Sequence, residues 1–146
     1  MCQIETEDTQ MYNNIFVALS LEHGISDLAL SAARQLVSEG GKITAIHVYE
    51  PPNSSVLAFL EEDAAEKSHQ RAKSLLAERV KGEVGISSVL LKGQSAGHSI
   101  TEYANTHNAD CVVIASHRPG LKDFFLGSTA ARVVRHAHCA VHVLRF

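Results

Sequence analysis

Apolar runs of strand length, separated by amphipathic segments, are the feature that most constrains how this chain can fold. Five such runs occupy residues 15–19, 43–49, 86–91, 111–115 and 140–144. Strands that are apolar without interruption are typical of parallel sheets whose two faces are both covered by helices. Strands that alternate with helices also require crossover connections, which are right-handed. The sequence therefore predicts a doubly wound α/β sandwich, in which ligands bind beyond the carboxyl ends of the strands.

The segments between these runs predict four helices, each with one apolar face. The first carries Leu28, Ala29, Ala32, Ala33, Leu36 and Val37 on that face, before Gly40 and Gly41 end it. The second carries Ala65, Ala72, Leu76 and Val80, the third Ile100, Tyr103 and Ala104, and the last Ala130, Ala131, Val133 and Val134. These faces are expected to cover the sheet.

Composition indicates one globular domain and excludes several kinds of partner. Of 146 residues, 45% are hydrophobic and 20% are charged, which fits a single core. A formal net charge of −3 provides no basic field for nucleic acid, and no apolar run approaches the ~20 residues that span a bilayer. We therefore expect neither nucleic-acid binding nor membrane insertion.

The cysteines and the first ten residues complete this outline. The three cysteines form no close-spaced pair, so we expect reduced thiols and a cytoplasmic location. Residues 1–10 show no periodicity and precede a second methionine, Met11. We expect these ten residues to be a flexible N-terminal tail or an upstream start, and residues 11–146 to form the domain.

Polar residues stand at both ends of the segment that joins the fourth strand to the last helix. Ser116, His117 and Arg118 follow the strand, and Gly127, Ser128 and Thr129 precede the helix. The first N–H groups of a helix lack partners and its dipole is positive there, so such a start can hold an anion. Arg118 could add a bidentate cationic contact. The segment predicts a site for a nucleotide phosphate; the spacing fits equally well a helix capped by Ser128 beside a solvated Arg118.

At these segments the chain resembles the universal stress protein family. The resemblance lies in MYNNIFVAL, AIHVYEP and ADCVVIASH, and most specifically in LGSTAARVVRHAHCAVHVLR. It implies a Rossmann-like, five-stranded parallel sheet in the order 3-2-1-4-5 with helices on both faces. It also implies a homodimer formed through the last strand, residues 140–144, whose free edge invites pairing.

ATP-binding members of that family carry a glycine, two residues, a second glycine, nine residues, then glycine and a serine or threonine. Here Ala115 and Arg118 stand at the first two glycine positions, and eight residues separate Arg118 from Gly127 and Ser128. A branch with an SHRP-type loop looks like this sequence. Ser20 stands where ATP-binding relatives usually have an aspartate that contacts the nucleoside, which replaces a carboxylate by an uncharged hydroxyl.

Matching the family position by position gives the full candidate site. Val48 matches a residue that lines the adenine pocket, and Ala18 matches another at the end of the first strand. The predicted binding residues are Ala18, Leu19, Ser20, Val48, Ala115, Ser116, His117, Arg118, Gly127, Ser128 and Thr129.

The resemblance implies a cytoplasmic, dimeric stress-response protein that binds ATP and thereby alters its contacts with an unknown regulatory protein partner. ADP or AMP as the ligand, and an accompanying Mg²⁺, stay open. Ser20, Ala115 and Arg118 favour an alternative, a nucleotide-free interaction module. A third hypothesis is a weak ATPase or phosphotransferase that uses His117. The chain has no P-loop and no acidic pair for magnesium, so we expect a nucleotide-binding regulator before an efficient enzyme.

The nine histidines do not predict a metal site. His136, His138, Cys139 and His142 are close in sequence, but they straddle a helix end and a strand, which makes a tetrahedral site unfavourable. His47, on the second strand, is interpreted as a core histidine bonded to backbone.

Overall fold

Five strands and five helices alternate along the part of the chain that the computed structural model describes, which is residues 11–21, 24–59, 63–116 and 126–145. The strands are β1 (Tyr12–Ala18), β2 (Val37–Tyr49), β3 (Ile86–Lys92), β4 (Cys111–Ala115) and β5 (Ala140–Leu144). The helices are α1 (Ile25–Leu36), α2 (Ser54–Leu57), α3 (Ala64–Val80), α4 (Ala96–Thr106) and α5 (Ser128–His136). The predicted tail at residues 1–10 and the loop residues His117 and Arg118 lie outside the described residues.

The strands form one parallel sheet in the order β3-β2-β1-β4-β5. The predicted fold class and strand order are confirmed. Because the chain winds outward from β1 in both directions, the crossovers on the two sides of β1 lie on opposite faces. The carboxyl ends of β1 and β4 therefore flank a crevice at the point where the strand order reverses.

Alternate residues of β1 enter two separate cores. Ile15 and Val17 pack with residues of α1 and α3 on one face of the sheet. Phe16 packs with residues of α4 and α5 on the other face. This period of two, with both sides apolar, is the physical basis of the uninterrupted apolar run at residues 15–19.

The second strand begins six residues earlier than the sequence predicts, at Val37 instead of Ile43. Val37 was expected to continue the first helix, but it is extended (φ −74°, ψ 139°) and pairs with Tyr12. The pairing then shifts register, and Gly40 adopts a φ of +75°, which favours glycine. Gly40 and Gly41 thus lie in an irregular start of a strand, and the helix has already ended at Leu36.

Three further details of the helices differ from expectation. Val134 was expected on the buried face of α5 but is 47% exposed. Leu28 was expected on the buried face of α1 but is 55% exposed. The helix begins at Ile25, so its buried stripe runs through Ile25, Ala29 and Ala33, and Leu28 lies beside it. The short helix α2 was not expected; Asn53 caps it by accepting a hydrogen bond from the N–H of Val56 (2.9 Å).

A polar clamp fixes the start of β1 at the amino end of the sheet. The two carboxylate oxygens of Asp110 accept hydrogen bonds from the backbone N–H groups of Asn13 (2.6 Å) and Asn14 (3.0 Å). The side-chain amide of Asn14 donates to the carbonyls of His107 and Asn108, both at 3.1 Å. The clamp joins β1 to the turn between α4 and β4.

Replacing the clamp carboxylate should destabilise the fold. Asp110→Ala leaves the N–H of half-buried Asn14 without this acceptor, so we expect the free energy of unfolding to fall by about 1–3 kcal/mol. Urea denaturation measures this change. The control is Glu39→Ala, which removes an exposed carboxylate and should change stability by less than about 0.5 kcal/mol. Equal effects of the two substitutions would contradict the role of the clamp.

The thiol of Cys111 should make stability depend on pH in the alkaline range. Burial raises its pKa from 9.0 to about 11, with smaller contributions from Cys139 and Asp110. Between these two pH values the thiol ionises in the unfolded state but stays protonated in the folded state. Ionisation therefore stabilises only the unfolded state, and the free energy of unfolding falls as pH rises. We expect this part of the decline to be absent from Cys111→Ala. Urea denaturation of both proteins at pH 8 and pH 11 checks the expectation, and identical pH dependences would refute it.

Candidate functional site

A cavity of about 420 Å³ opens at the carboxyl ends of β1, β2 and β4. Nine of the predicted binding residues line it, namely Ala18, Leu19, Ser20, Val48, Ala115, Ser116, Gly127, Ser128 and Thr129. The other two, His117 and Arg118, lie outside the described residues. Four separate stretches of sequence thus meet at one opening, where the strand order reverses.

The start of α5 faces this cavity without a side-chain cap. Gly127 is the N-cap residue, and Ser128 is the first residue of the helix, so the interpretation of Ser128 as a helix cap is wrong. Among the residues that the structure describes, no side chain caps the first N–H groups of this helix. A helix start without a cap retains donors and a positive dipole for an anion. Gly127 has a φ of −59° and a ψ of 154°, so its backbone conformation does not require glycine.

The backbone of Ser116 is fixed by two hydrogen bonds, while its hydroxyl has no partner among the described residues. Its N–H donates to the carbonyl of Leu144 (2.8 Å), and its own carbonyl accepts from the N–H of Gly127 (2.7 Å). The residue is completely buried, and within the described part of the chain its Oγ makes no hydrogen bond. A buried hydroxyl left in this way costs about 1–3 kcal/mol. Because Ser116 lines the cavity, a bound group could satisfy it.

Two contacts fix the loop that follows β1. The Nδ1 atom of His47 bonds to the carbonyl of Leu19 at 2.7 Å; a carbonyl only accepts, so Nδ1 carries the proton. The guanidinium of Arg79 donates to the carbonyl of Leu21 through Nε (3.4 Å) and a terminal nitrogen (3.3 Å). Leu21 has a φ of +64°, which is unfavourable for a leucine. The hydrogen bonds from Arg79 to its carbonyl help to hold this conformation. Ser20 is thereby placed at the cavity mouth.

The backbone bond predicted for His47 is confirmed, but the residue is half-buried and also lines the cavity. Sequence reasoning treated it as purely structural. The signal that it belongs to the site was its position, one residue before Val48 near the end of β2.

Glu50 is a second lining residue that sequence reasoning missed. Its carboxylate accepts a hydrogen bond from the N–H of Ala96 (3.1 Å), the first residue of α4. The cavity therefore does have a carboxylate, contributed by the end of β2, although the end of β1 carries Ser20. Glu50 directly follows β2, and β2 is a neighbour of β1, so the strand order contained the signal.

Metal-ligand clusters and membrane-spanning helices are both absent from the described part of the chain. Among residues 11–21, 24–59, 63–116 and 126–145, no three His, Cys, Asp or Glu side chains are grouped as metal ligands. Over the same ranges, none of the helices combines the length and the apolar character needed to cross a bilayer.

Comparison with known proteins gives a consistent result. The model of the universal stress protein family matches residues 11–145. Universal stress protein G of Escherichia coli O157:H7 is 29% identical over 151 residues, covering 92% of this chain and all of the relative. Universal stress protein UspA from Lactobacillus plantarum has a similar fold, with a TM-score of 0.72, 22% identity, and coverage of 92% of this chain and 98% of that one.

Two further solved structures of the same fold contain nucleotides. A universal stress protein in complex with cAMP has a TM-score of 0.63 and 19% identity, covering 93% of this chain and 99% of that one. The universal stress protein from Archaeoglobus fulgidus in complex with dAMP has a TM-score of 0.59 and 18% identity, covering 93% of this chain and all of that one. Because the family model spans almost the entire domain, the chain belongs to the universal stress protein family.

Proposed function

We propose that the protein binds an adenine nucleotide in the 420 Å³ cavity. The observation that carries the proposal is the meeting, at one opening, of an uncapped helix start and the unpartnered hydroxyl of buried Ser116. The first feature can hold an anion, and the second requires a polar ligand atom or water. Neither feature depends on the resemblance.

The phosphate would lie at the start of α5. Gly127 leaves room for close approach to the backbone, and the hydroxyls of Ser128 and Thr129 add donors. Both of these residues line the cavity, and α5 is long enough, at nine residues, to have a developed dipole. In the SHRP-type loop, Arg118 and His117 would approach the same phosphate.

The base and sugar would occupy the rest of the cavity. Its walls include Ala18, Ile46, Val48, Ile100 and Ile114, an apolar lining suited to the faces of a purine ring. Beside them the carboxylate of Glu50 can accept hydrogen bonds from ribose hydroxyls, a role that Ser20 fills less well. The cavity volume lies within the range usual for small-molecule sites.

The solved relatives support an adenine base, since one is in complex with cAMP and another with dAMP. We extend the proposal to ATP or ADP, with Mg²⁺ as a counterion to the phosphates. The family relationship supports a cytoplasmic role in the stress response, in which occupancy alters contacts with a regulatory protein partner. Strand β5 lies at the end of the sheet, and we propose that it pairs with a second copy to form a homodimer.

Filling the space at the start of α5 should abolish nucleotide binding without unfolding the domain. The backbone of Gly127 suits any residue, so Gly127→Val should fold while its side chain obstructs the phosphate. Calorimetric titration with ATP and AMP should give binding to the parent and none to the variant. The control is Ala77→Val, at an exposed position of α3 outside the cavity, which should bind like the parent. Absence of binding by the parent at millimolar nucleotide would refute the proposed function.

Arg79 should act as a positioning residue for the nucleoside end of the site. Arg79→Ala frees the carbonyl of Leu21 and lets the loop after β1 relax, so AMP affinity should fall about three- to tenfold. Binding of inorganic phosphate, which would contact only the start of α5, should be unchanged. Arg71→Ala, an exposed arginine on the same helix, is the control for calorimetry. Equal AMP affinities of all three proteins would exclude this role.

A further inference from the structure

A second depression, a groove of about 480 Å³, lies directly beside the cavity. We call it the arginine groove and define it by Gln94, Ser95, Gly97, Arg132, Arg135 and His136. The groove and the cavity share Ser128, Thr129, Glu50 and Ala96 as lining residues, so they meet at the start of α5. A ligand held at that helix start can therefore extend from one into the other.

The cationic side of the groove is a stripe along α5. Ser128, Arg132 and Arg135 are spaced by four and three residues, which places them on one face of the helix. At 1.5 Å rise per residue, Arg132 lies about 6 Å and Arg135 about 10 Å from Ser128 along the axis. The Cα–Cβ bonds of a helix tilt toward its amino end, so both arginine side chains leave α5 in the direction of the cavity.

Close packing on α4 restricts the position of Arg132. A Cβ atom added at Gly97 would lie 3.0 Å from Cβ and 3.1 Å from Cδ of Arg132. The aliphatic stem of Arg132 therefore lies against the bare backbone of α4, and any larger residue at position 97 would displace it. This contact reduces the conformational freedom that an arginine must lose on binding an anion.

The charges in the groove favour an anion. Within the part of the chain that the structure describes, neither Arg132 nor Arg135 forms an ion pair. Glu50 is the carboxylate of the lining, and it is already bonded to the N–H of Ala96. Two guanidinium groups and one carboxylate give the groove a net positive charge. Each guanidinium group can donate two parallel N–H···O hydrogen bonds to one phosphate.

We propose that the arginine groove is a second anion site, which holds the outer phosphates of a polyphosphate chain whose inner phosphate lies at the start of α5. For nucleotides the inference rests on the proposed function and deepens it: the groove makes the protein prefer triphosphates to monophosphates. For inorganic polyphosphate the inference does not depend on nucleoside binding.

The first test uses inorganic tripolyphosphate as the probe in calorimetry at low salt. Arg132→Gln should bind it about tenfold more weakly than the parent, because a charge-assisted contact is lost. The matched control, Arg71→Gln, removes the same charge from an exposed position on α3 and should bind like the parent. Circular dichroism should report the same fold for all three. Equal affinities of the three proteins would overturn the proposal.

The second test separates this inference from the proposed function by comparing ATP with AMP. Arg132→Gln should weaken ATP about tenfold and leave AMP within about twofold. If the parent binds AMP but Arg132→Gln weakens both nucleotides equally or neither, the arginine groove fails while nucleotide binding stands. If tripolyphosphate binding depends on Arg132 and no nucleotide binds, the groove stands and the proposed function fails.

Discussion

Burial of β1 on both faces is the constraint on which the rest of the structure depends. Ile15 and Val17 are completely buried on one side, and Phe16 is almost so on the other. Burying each such side chain contributes about 1.5–3 kcal/mol, and only a strand paired on both edges can be covered on both faces without losing backbone hydrogen bonds. The pairing of β1 with β2 and β4 meets that requirement. The burial of β1 also requires helices on both faces of the sheet. The cavity lies at the carboxyl ends of the strands.

The sequence predicted features that depend on local patterns and missed those that depend on pairing. Apolar periodicity predicted the five strands and the four longer helices. The family resemblance predicted the order of the strands in the parallel sheet. The early start of β2 at Val37 does not follow from local patterns, because the apolar side chain of Val37 fits a helix and a strand equally well. The extended conformation of Val37 goes with its pairing to Tyr12 in β1. The exposure of Leu28 likewise depends on where α1 begins, a boundary set by the whole fold.

The candidate site divides in the same way. Residues next to one another in sequence, such as Gly127, Ser128 and Thr129, could be named in advance because a helix start has a recognisable chemistry. Glu50 and Arg132 were missed, since each contacts a neighbour distant in sequence: Glu50 contacts Ala96, and Arg132 contacts Gly97. His47 was named but given too limited a role, because its hydrogen bond to Leu19 accounts for one ring nitrogen only. The sequence thus predicted the end of the cavity at the start of α5 better than the end near Glu50 and His47.

The polar clamp of Asp110 and Asn14 lies at the amino end of the sheet, and the cavity lies at the opposite, carboxyl end. The clamp and the cavity are therefore separated by the length of a strand. An exposed position at the cavity mouth, such as Ser20, can change without touching the clamp. Ser20 and Ala115, at which the chain departs from the pattern that the resemblance implies for ATP-binding members, both lie at the cavity end. Ligand preference in such a scaffold can diverge between paralogues while the architecture stays constant.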